Sequence, residues 1–365
     1  MAEARALVLE APRRLVEVTL PLPSVGDDDA ILRIEACGLC GTDHELYTGA
    51  FAWPTYGFVP GHETVGVIEE IGPVASELWG VGVGDRVAVE TFQSCRQCER
   101  CLAGDYKKCE QHGAKEMYGF IPASTGAGLW GGYATHHYLA PDSMVIPMPG
   151  SLDPVEATLY NPFGGGFKWV HDIGKVQPGE TVAVLGPGIR GLAALVAARE
   201  GGAGFTVVTG FGPRDENRLA LARRFGADLT VDVATEDPAA ALEAANGTLA
   251  DLVVDVTANA PSALGDSLRI ARHGGRIVVA GTRGGGPVPN LDPDLIMTKE
   301  LSIQGTMGVD IGAYRLALAA LGSGRYPVSE IPRHVADFSG VADLLKLMAG
   351  TTDGMPPVHA VLVPG

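Results

Sequence analysis

Thr181-Val182-Ala183-Val184-Leu185-Gly186-Pro187-Gly188-Ile189-Arg190-Gly191-Leu192 is the stretch whose reading decides the fold. The apolar and β-branched run predicts a buried strand over Thr181–Leu185, and the Ala-rich segment that follows predicts a helix over Ile189–Glu200. Between them Gly186, Gly188 and Gly191 fit G-x-G-x-x-G, with Ile189 and Arg190 inside the same turn. Gly186 permits a tight turn, Gly188 lets the backbone approach a pyrophosphate, and Gly191 allows close helix–strand packing. The helix N-terminus stabilises the phosphates. A lone match is weak, but one placed between a strand and a helix is a strong signal for a dinucleotide.

The next strand, Phe205–Thr209, ends at Gly210 with no acid, and Arg214 and Asp215 follow. A small residue with a nearby guanidinium suits the 2′-phosphate of NADP, whereas Asp215 would serve the ribose of NAD if its loop folds back. The cofactor expected is therefore NADP or NAD, with a lean to NADP.

Outward from that turn, strand and helix signals alternate. Strands are expected at Leu229–Val231, Leu252–Val256 and Arg276–Ala280, and helices at Glu216–Phe225, Pro238–Ala245 and Ser262–Ile270. Alternation of this kind implies a doubly wound parallel sheet. The N-terminal part reads differently, as short strands bounded by Gly, Pro or Asp: Ala6–Leu9, Leu15–Thr19, Ala30–Ala36, Thr64–Ile71 and Arg86–Val89. That part is a β-rich barrel or sandwich. A length of 365 residues agrees with two domains.

Cys95, Cys98, Cys101 and Cys109 follow C-x2-C-x2-C-x7-C. Two-residue gaps bring successive thiolates onto one tetrahedral zinc, and four sulfurs close its coordination sphere, so the site is structural. An iron–sulfur cluster is the competing reading, disfavoured by the lack of a second cluster motif. Further upstream, Cys40-Gly41-Thr42-Asp43-His44 and Gly61-His62-Glu63 offer a thiolate, an imidazole and carboxylates beside a hydroxyl. These are the donors of a catalytic zinc with a proton-relay group. Cys37 reads as packing, and the other histidines have no ligand spacing to one another.

A formal net charge of −16 argues against nucleic acid and anionic membranes as partners. No apolar run has the length of a membrane span, and no signal-peptide pattern opens the chain. The expectation is a cytoplasmic protein whose six cysteines serve metal rather than disulfides.

Taken together, these residues resemble the zinc-containing medium-chain alcohol dehydrogenase family, with its polyol and threonine dehydrogenase relatives, over essentially the whole chain. The resemblance implies a GroES-like catalytic domain, residues 1–162 and 306–365 with the zinc loop at 95–109, interrupted by a Rossmann domain at 163–305. It implies Cys40 and His62 as catalytic zinc ligands, with Glu63 close to the metal. Thr42 would take the substrate proton, and Asp43 would hydrogen-bond the second nitrogen of His62. Thr306 and Met307 would line the nicotinamide. Asn161 occupies the place of a third protein ligand, where a neutral amide is a poor zinc donor. The usual relay histidine is missing; Glu45 or Tyr47 lies near its place, and His44 is an alternative. A homodimer or homotetramer is the family habit.

The function expected is hydride transfer between a small-molecule alcohol and NAD(P). Trp53, Tyr56, Phe58, Tyr118, Trp130 and Phe163 suggest a cleft for an apolar or cyclic secondary alcohol. The alternative is a zinc-free site reducing alkenes or carbonyls; the retained Cys40, Thr42, His62 and Glu63 argue against it.

Overall fold

The computed structural model describes residues 2–51, 55–258, 260–283, 286–289 and 291–365. The chain divides into two compact units, Met1–Tyr160 with Val328–Gly365, and Asn161–Pro327.

The first unit is built on a seven-stranded sheet. Its path runs Arg333–Ala336, His359–Leu362, Ala30–Leu39, Glu63–Ile71, Arg86–Val89 and Val145–Pro147, with His136–Leu139 paired to Ala30–Leu39. The hairpin Glu3–Ala11 and Arg14–Pro21 forms a separate two-stranded sheet. Ala30–Leu39 is buried almost throughout because neighbouring strands and core residues cover both of its faces. Its antiparallel pairing with Glu63–Ile71 sets Gly38 opposite Glu63, and Cys37 opposite Thr64. That register brings together the two ends of the sequence stretch that runs from Cys40 to Glu63.

The second unit is a six-stranded sheet, parallel throughout, in the order Leu229–Asp232, Phe205–Gly210, Thr181–Leu185, Ala250–Asp255, Ala271–Val279, Ser302–Gly305. The chain enters at the centre, winds to one edge, then crosses to the other side. The switch point lies between Thr181–Leu185 and Ala250–Asp255, where open α/β sheets bind ligands at the strands' carboxyl ends. The helix Ile189–Glu200 is buried continuously from Gly191 to Ala198, as an Ala-rich helix pressed onto a sheet must be.

Two boundaries differ from the sequence reading. Residues 306–327, expected with the first domain, cluster with the second unit, as do Asn161 and Pro162. The helix Ile311–Leu321 buries Tyr314, whose hydroxyl accepts from the Asn161 amide at 3.1 Å. Lys168 pairs with Asp310 at 2.5 Å. These contacts hold both segments to the parallel-sheet unit. No helix among the described residues is long and apolar enough to cross a membrane.

Candidate functional site

Cys40 ends the approach from strand Ala30–Leu39 and stands at the N-cap of the helix Gly41–Thr48. Asp43, in that helix's first turn, accepts from the Cys40 backbone N–H through Oδ2 at 2.9 Å. His62 and Glu63 arrive from the other direction, at the start of Glu63–Ile71. Cys40 Sγ and His62 Nε2 are 3.4 Å apart, and the donor atoms of Cys40, His62 and Glu63 all lie within 4.8 Å of one another. A thiolate and an imidazole sharing one tetrahedral zinc stand about 3.5 Å apart, so this donor set fits the metal. Burial pushes the Cys40 thiol well up, and the charges of Asp43 and Glu63 push it further, with Thr42's hydroxyl pulling weakly the other way. A cation would reverse that balance.

One expected contact is not formed. Asp43 Oδ1 and His62 Nδ1 are both buried without a partner among the described residues, because the carboxylate is turned to the helix N-terminus through Oδ2. Sequence reasoning also missed two groups in the same shell. Thr64 Oγ1 and Tyr133 Oη are buried and equally without partner, and Tyr133's hydroxyl proton is held firmly by burial and by the nearby charge of Asp43. Gly132 makes room for this shell: a Cβ there would lie 2.4 Å from Cys37 Sγ and 2.5 Å from Thr64 Oγ1. Cys37 itself is fully buried packing. His44 Nε2 is buried without a partner as well, and burial lowers its pKa.

The four-cysteine loop is assembled locally. Cys95 and Cys101 sulfurs are 3.8 Å apart, the edge of a tetrahedron with Zn–S near ~2.3 Å, and all four sulfurs fall within 4.8 Å. Backbone N–H groups already point at them: Cys98 N–H at Cys95 Sγ (3.4 Å) and Cys101 N–H at Cys98 Sγ (3.5 Å). Burial raises the Cys109 thiol, but N–H donors from His112, Cys95 and Gln111 outweigh it and bring it down to about 6. Arg96 ties the loop to the chain beyond it, donating to Ser143 O at 2.5 Å and pairing with Asp142 at 3.2 Å.

In the second unit the glycine turn has the form its sequence demands. Gly188 caps the helix Ile189–Glu200, which opens with Ile189 and Arg190. A Cβ on Gly191 would lie 1.9 Å from Gly186 O, so the helix can approach the strand only with glycine at that position. Arg190 donates to Ala280 O at 2.9 Å, and its guanidinium lies 4.6 Å from the Trp169 ring centre. Gly210 ends the neighbouring strand. Asp215 is buried, accepting from Phe211 N–H at 3.0 Å and from Arg218 at 3.2 Å, so its carboxylate braces its own loop. Arg214 is 80% exposed. Thr306 N–H donates to Val279 O at 3.2 Å, and Met307 is 90% exposed.

The cleft aromatics are corrected. Phe58, Tyr118 and Phe163 are 0% exposed and Trp130 is buried; Phe58 belongs to one core cluster of the first unit and Tyr118 and Trp130 to another, and Tyr56 is half-exposed. Trp53 lies outside the described residues.

Residues 26–150 match the family model of the alcohol dehydrogenase GroES-like domain, and residues 191–323 match that of zinc-binding dehydrogenases. The chain belongs to the zinc-binding alcohol dehydrogenase family. It is 59% identical, over all of its own length and 99% of the relative's, to "Probable alcohol dehydrogenase adh" of Mycobacterium tuberculosis. It is 33% identical to the sorbitol dehydrogenase of Bacillus subtilis over 82% of this chain and 81% of that one. Among solved structures it resembles a zinc-binding dehydrogenase from Sinorhizobium meliloti 1021 bound to NADP, with TM-score 0.83, 25% identity and full coverage of both chains. The β-rich unit is thus the GroES-like domain and the parallel sheet the Rossmann-type domain. The protein is an NAD(P)-dependent oxidoreductase that takes zinc and a nicotinamide dinucleotide.

Proposed function

We propose that the enzyme interconverts a secondary alcohol and its ketone, with Cys40, His62 and Glu63 holding a catalytic zinc and NADP as the preferred cofactor. The convergence of those three donor atoms within 4.8 Å carries the reading. When bound, zinc supplies Lewis-acid polarisation of the substrate oxygen, and the nicotinamide takes or gives the hydride. Thr42, two residues after Cys40, receives the hydroxyl proton, and the half-buried His44, two residues further along the same helix, carries it on. Asp43 acts by fixing Cys40 through its backbone N–H. Asn161 is an amide and so a poor zinc donor, and the proposed ligand set is Cys40, His62 and Glu63.

With the aromatics placed in the cores, the expected preference for apolar or cyclic substrates draws no support from them. Two relatives support a polyol hydroxyl as the group acted on: besides sorbitol dehydrogenase, an erythritol/L-threitol dehydrogenase is 29% identical over 99% of this chain. The exposed Arg214 after Gly210, with Asp215 turned inward, supports NADP over NAD. The edge strand Ser302–Gly305, exposed at each of its residues, supports pairing with a second copy in a homodimer or homotetramer, and six cysteines outside disulfides support a cytoplasmic location.

Assays of secondary alcohols, polyol and apolar, with NADP+ and NAD+ in parallel test this. Cys40→Ser should lower turnover by about 10³-fold, the scale of a lost Lewis acid. Turnover within tenfold of the parent enzyme would reject a catalytic zinc at Cys40 and leave the zinc-free reductase.

A further inference from the structure

At the carboxyl end of the parallel sheet lie two buried charges that the reading above does not use. Asp255 ends the strand Ala250–Asp255 and is 0% exposed; Arg283 follows the strand Ala271–Val279 with its side chain 11% exposed. Their side chains pair directly. The same guanidinium donates to Thr257 O at 2.7 Å and Gly281 O at 3.2 Å. Thr257 in turn donates to Asp255 Oδ1 from its hydroxyl at 2.6 Å and its backbone N–H at 3.1 Å. One carboxylate and one guanidinium thereby bind the residues after one strand to those after the next.

The two loops touch backbone to backbone. A Cβ on Gly281 would lie 1.8 Å from Thr257 O. Arg190, from the glycine turn, grips the same segment at Ala280 O. On its other side Thr257 leans on the turn itself, its Cγ2 standing 3.1 Å from where a Gly186 Cβ would be. The clasp is therefore continuous with the structure that seats a pyrophosphate.

A dinucleotide crosses such a sheet at the switch point, one half over each half of the strands. Gly210 and Arg214 stand on the adenosine side, and Asp255 and Arg283 on the opposite side. A buried ion pair repays its desolvation only when its remaining donors and acceptors are satisfied. Here Arg283 Nη1 and Nη2 meet it through two loop carbonyls and the carboxylate, which Thr257's hydroxyl also holds, while Nε is buried without a partner among the described residues. Burial holds the Asp255 carboxyl above its ordinary range, with Thr257 and Arg283 pulling it down, so the carboxylate depends on its partners.

We infer that the Asp255–Arg283 clasp is a positioning element for the nicotinamide half of the cofactor, acting through the loop backbones of Thr257 and Gly281. The test compares whole cofactors with their adenosine halves: NADPH against adenosine 2′,5′-bisphosphate, and NADH against ADP. Using both pairs keeps the result independent of which dinucleotide the enzyme prefers. Arg283→Ala should weaken the preferred dinucleotide by about tenfold or more, the usual cost of a misplaced seat, and leave the matching adenosine half within about twofold. Arg283→Lys keeps the charge but not the fork, and should fall between them; it carries the same comparison if the alanine variant does not fold. Equal weakening of both ligands, with a lowered unfolding temperature, would reduce the clasp to a structural pair and overturn the inference. Unchanged dinucleotide affinity would overturn it too.

Discussion

The GroES-like unit holds two candidate zinc sites, and they are built in opposite ways. The loop from Cys95 to Cys109 collects four like donors from one short segment, and its backbone N–H groups already point at the sulfurs. The Cys40 site collects three unlike donors from two strand ends that only sheet pairing brings together. Around it Asp43 Oδ1, His62 Nδ1, Thr64 Oγ1 and Tyr133 Oη are buried without partners among the described residues. A saturated, locally closed site suits a metal that stays to hold a fold. An unsaturated one, resting on long-range register, suits a metal that does chemistry and draws on the stability of its scaffold.

That contrast breaks first at the loop. Cys98→Ser should remove the loop's zinc and cost more than about 3 kcal/mol of stability, since loss of a metal belongs to the largest class of point-mutant effects. Denaturant unfolding measures this, and a cost below about 1 kcal/mol would mean the loop does not rely on metal.

The contrast also explains what could be read in advance. The cysteine spacing and the glycine turn are written in consecutive residues, so both were legible. Thr64 and Tyr133 join the Cys40 shell only through strand pairing and a glycine contact, and neither leaves a local signal. The helix Gly41–Thr48 was silent because it buries Asp43 beside Leu46 and Tyr47 rather than an apolar stripe. The aromatics misled because an isolated Phe or Trp reads alike in a core and in a cleft. The second unit extends past residue 305 because Lys168 and Asn161 reach Asp310 and Tyr314, contacts that no periodicity reveals.

Acid should strike the register-built site. His137 lies in a strand paired to the start of Ala30–Leu39 and His359 opens one paired to its end, both on the edge opposite Glu63–Ile71. Burial lowers both to about 3 from the ordinary 6.5, with Arg333 adding to the effect at His359. The unfolded chain takes up these protons near pH 6.5 and the folded chain only near pH 3. Stability is therefore full above pH 6.5 and falls as pH drops from there toward 3. The loss is about 2 kcal/mol per histidine at pH 5. His137→Phe should flatten the curve by that amount; an unchanged slope between pH 7 and 5 would show that His137 does not bear it.

A smaller effect is expected behind Cys40. Gly132→Ala forces a methyl against Cys37 and Thr64 and should cost about 2 kcal/mol by overpacking. It should also weaken zinc at Cys40 while leaving zinc in the loop. Equal loss at both sites would erase the distinction between them.

The central claim, two zinc sites of different kind in one unit, is tested most directly by metal content. Elemental analysis of the purified enzyme should find two zinc per chain, falling to one in Cys40→Ser with the fold and unfolding temperature retained. One zinc per chain in fully active parent enzyme, unchanged in Cys40→Ser, would contradict it.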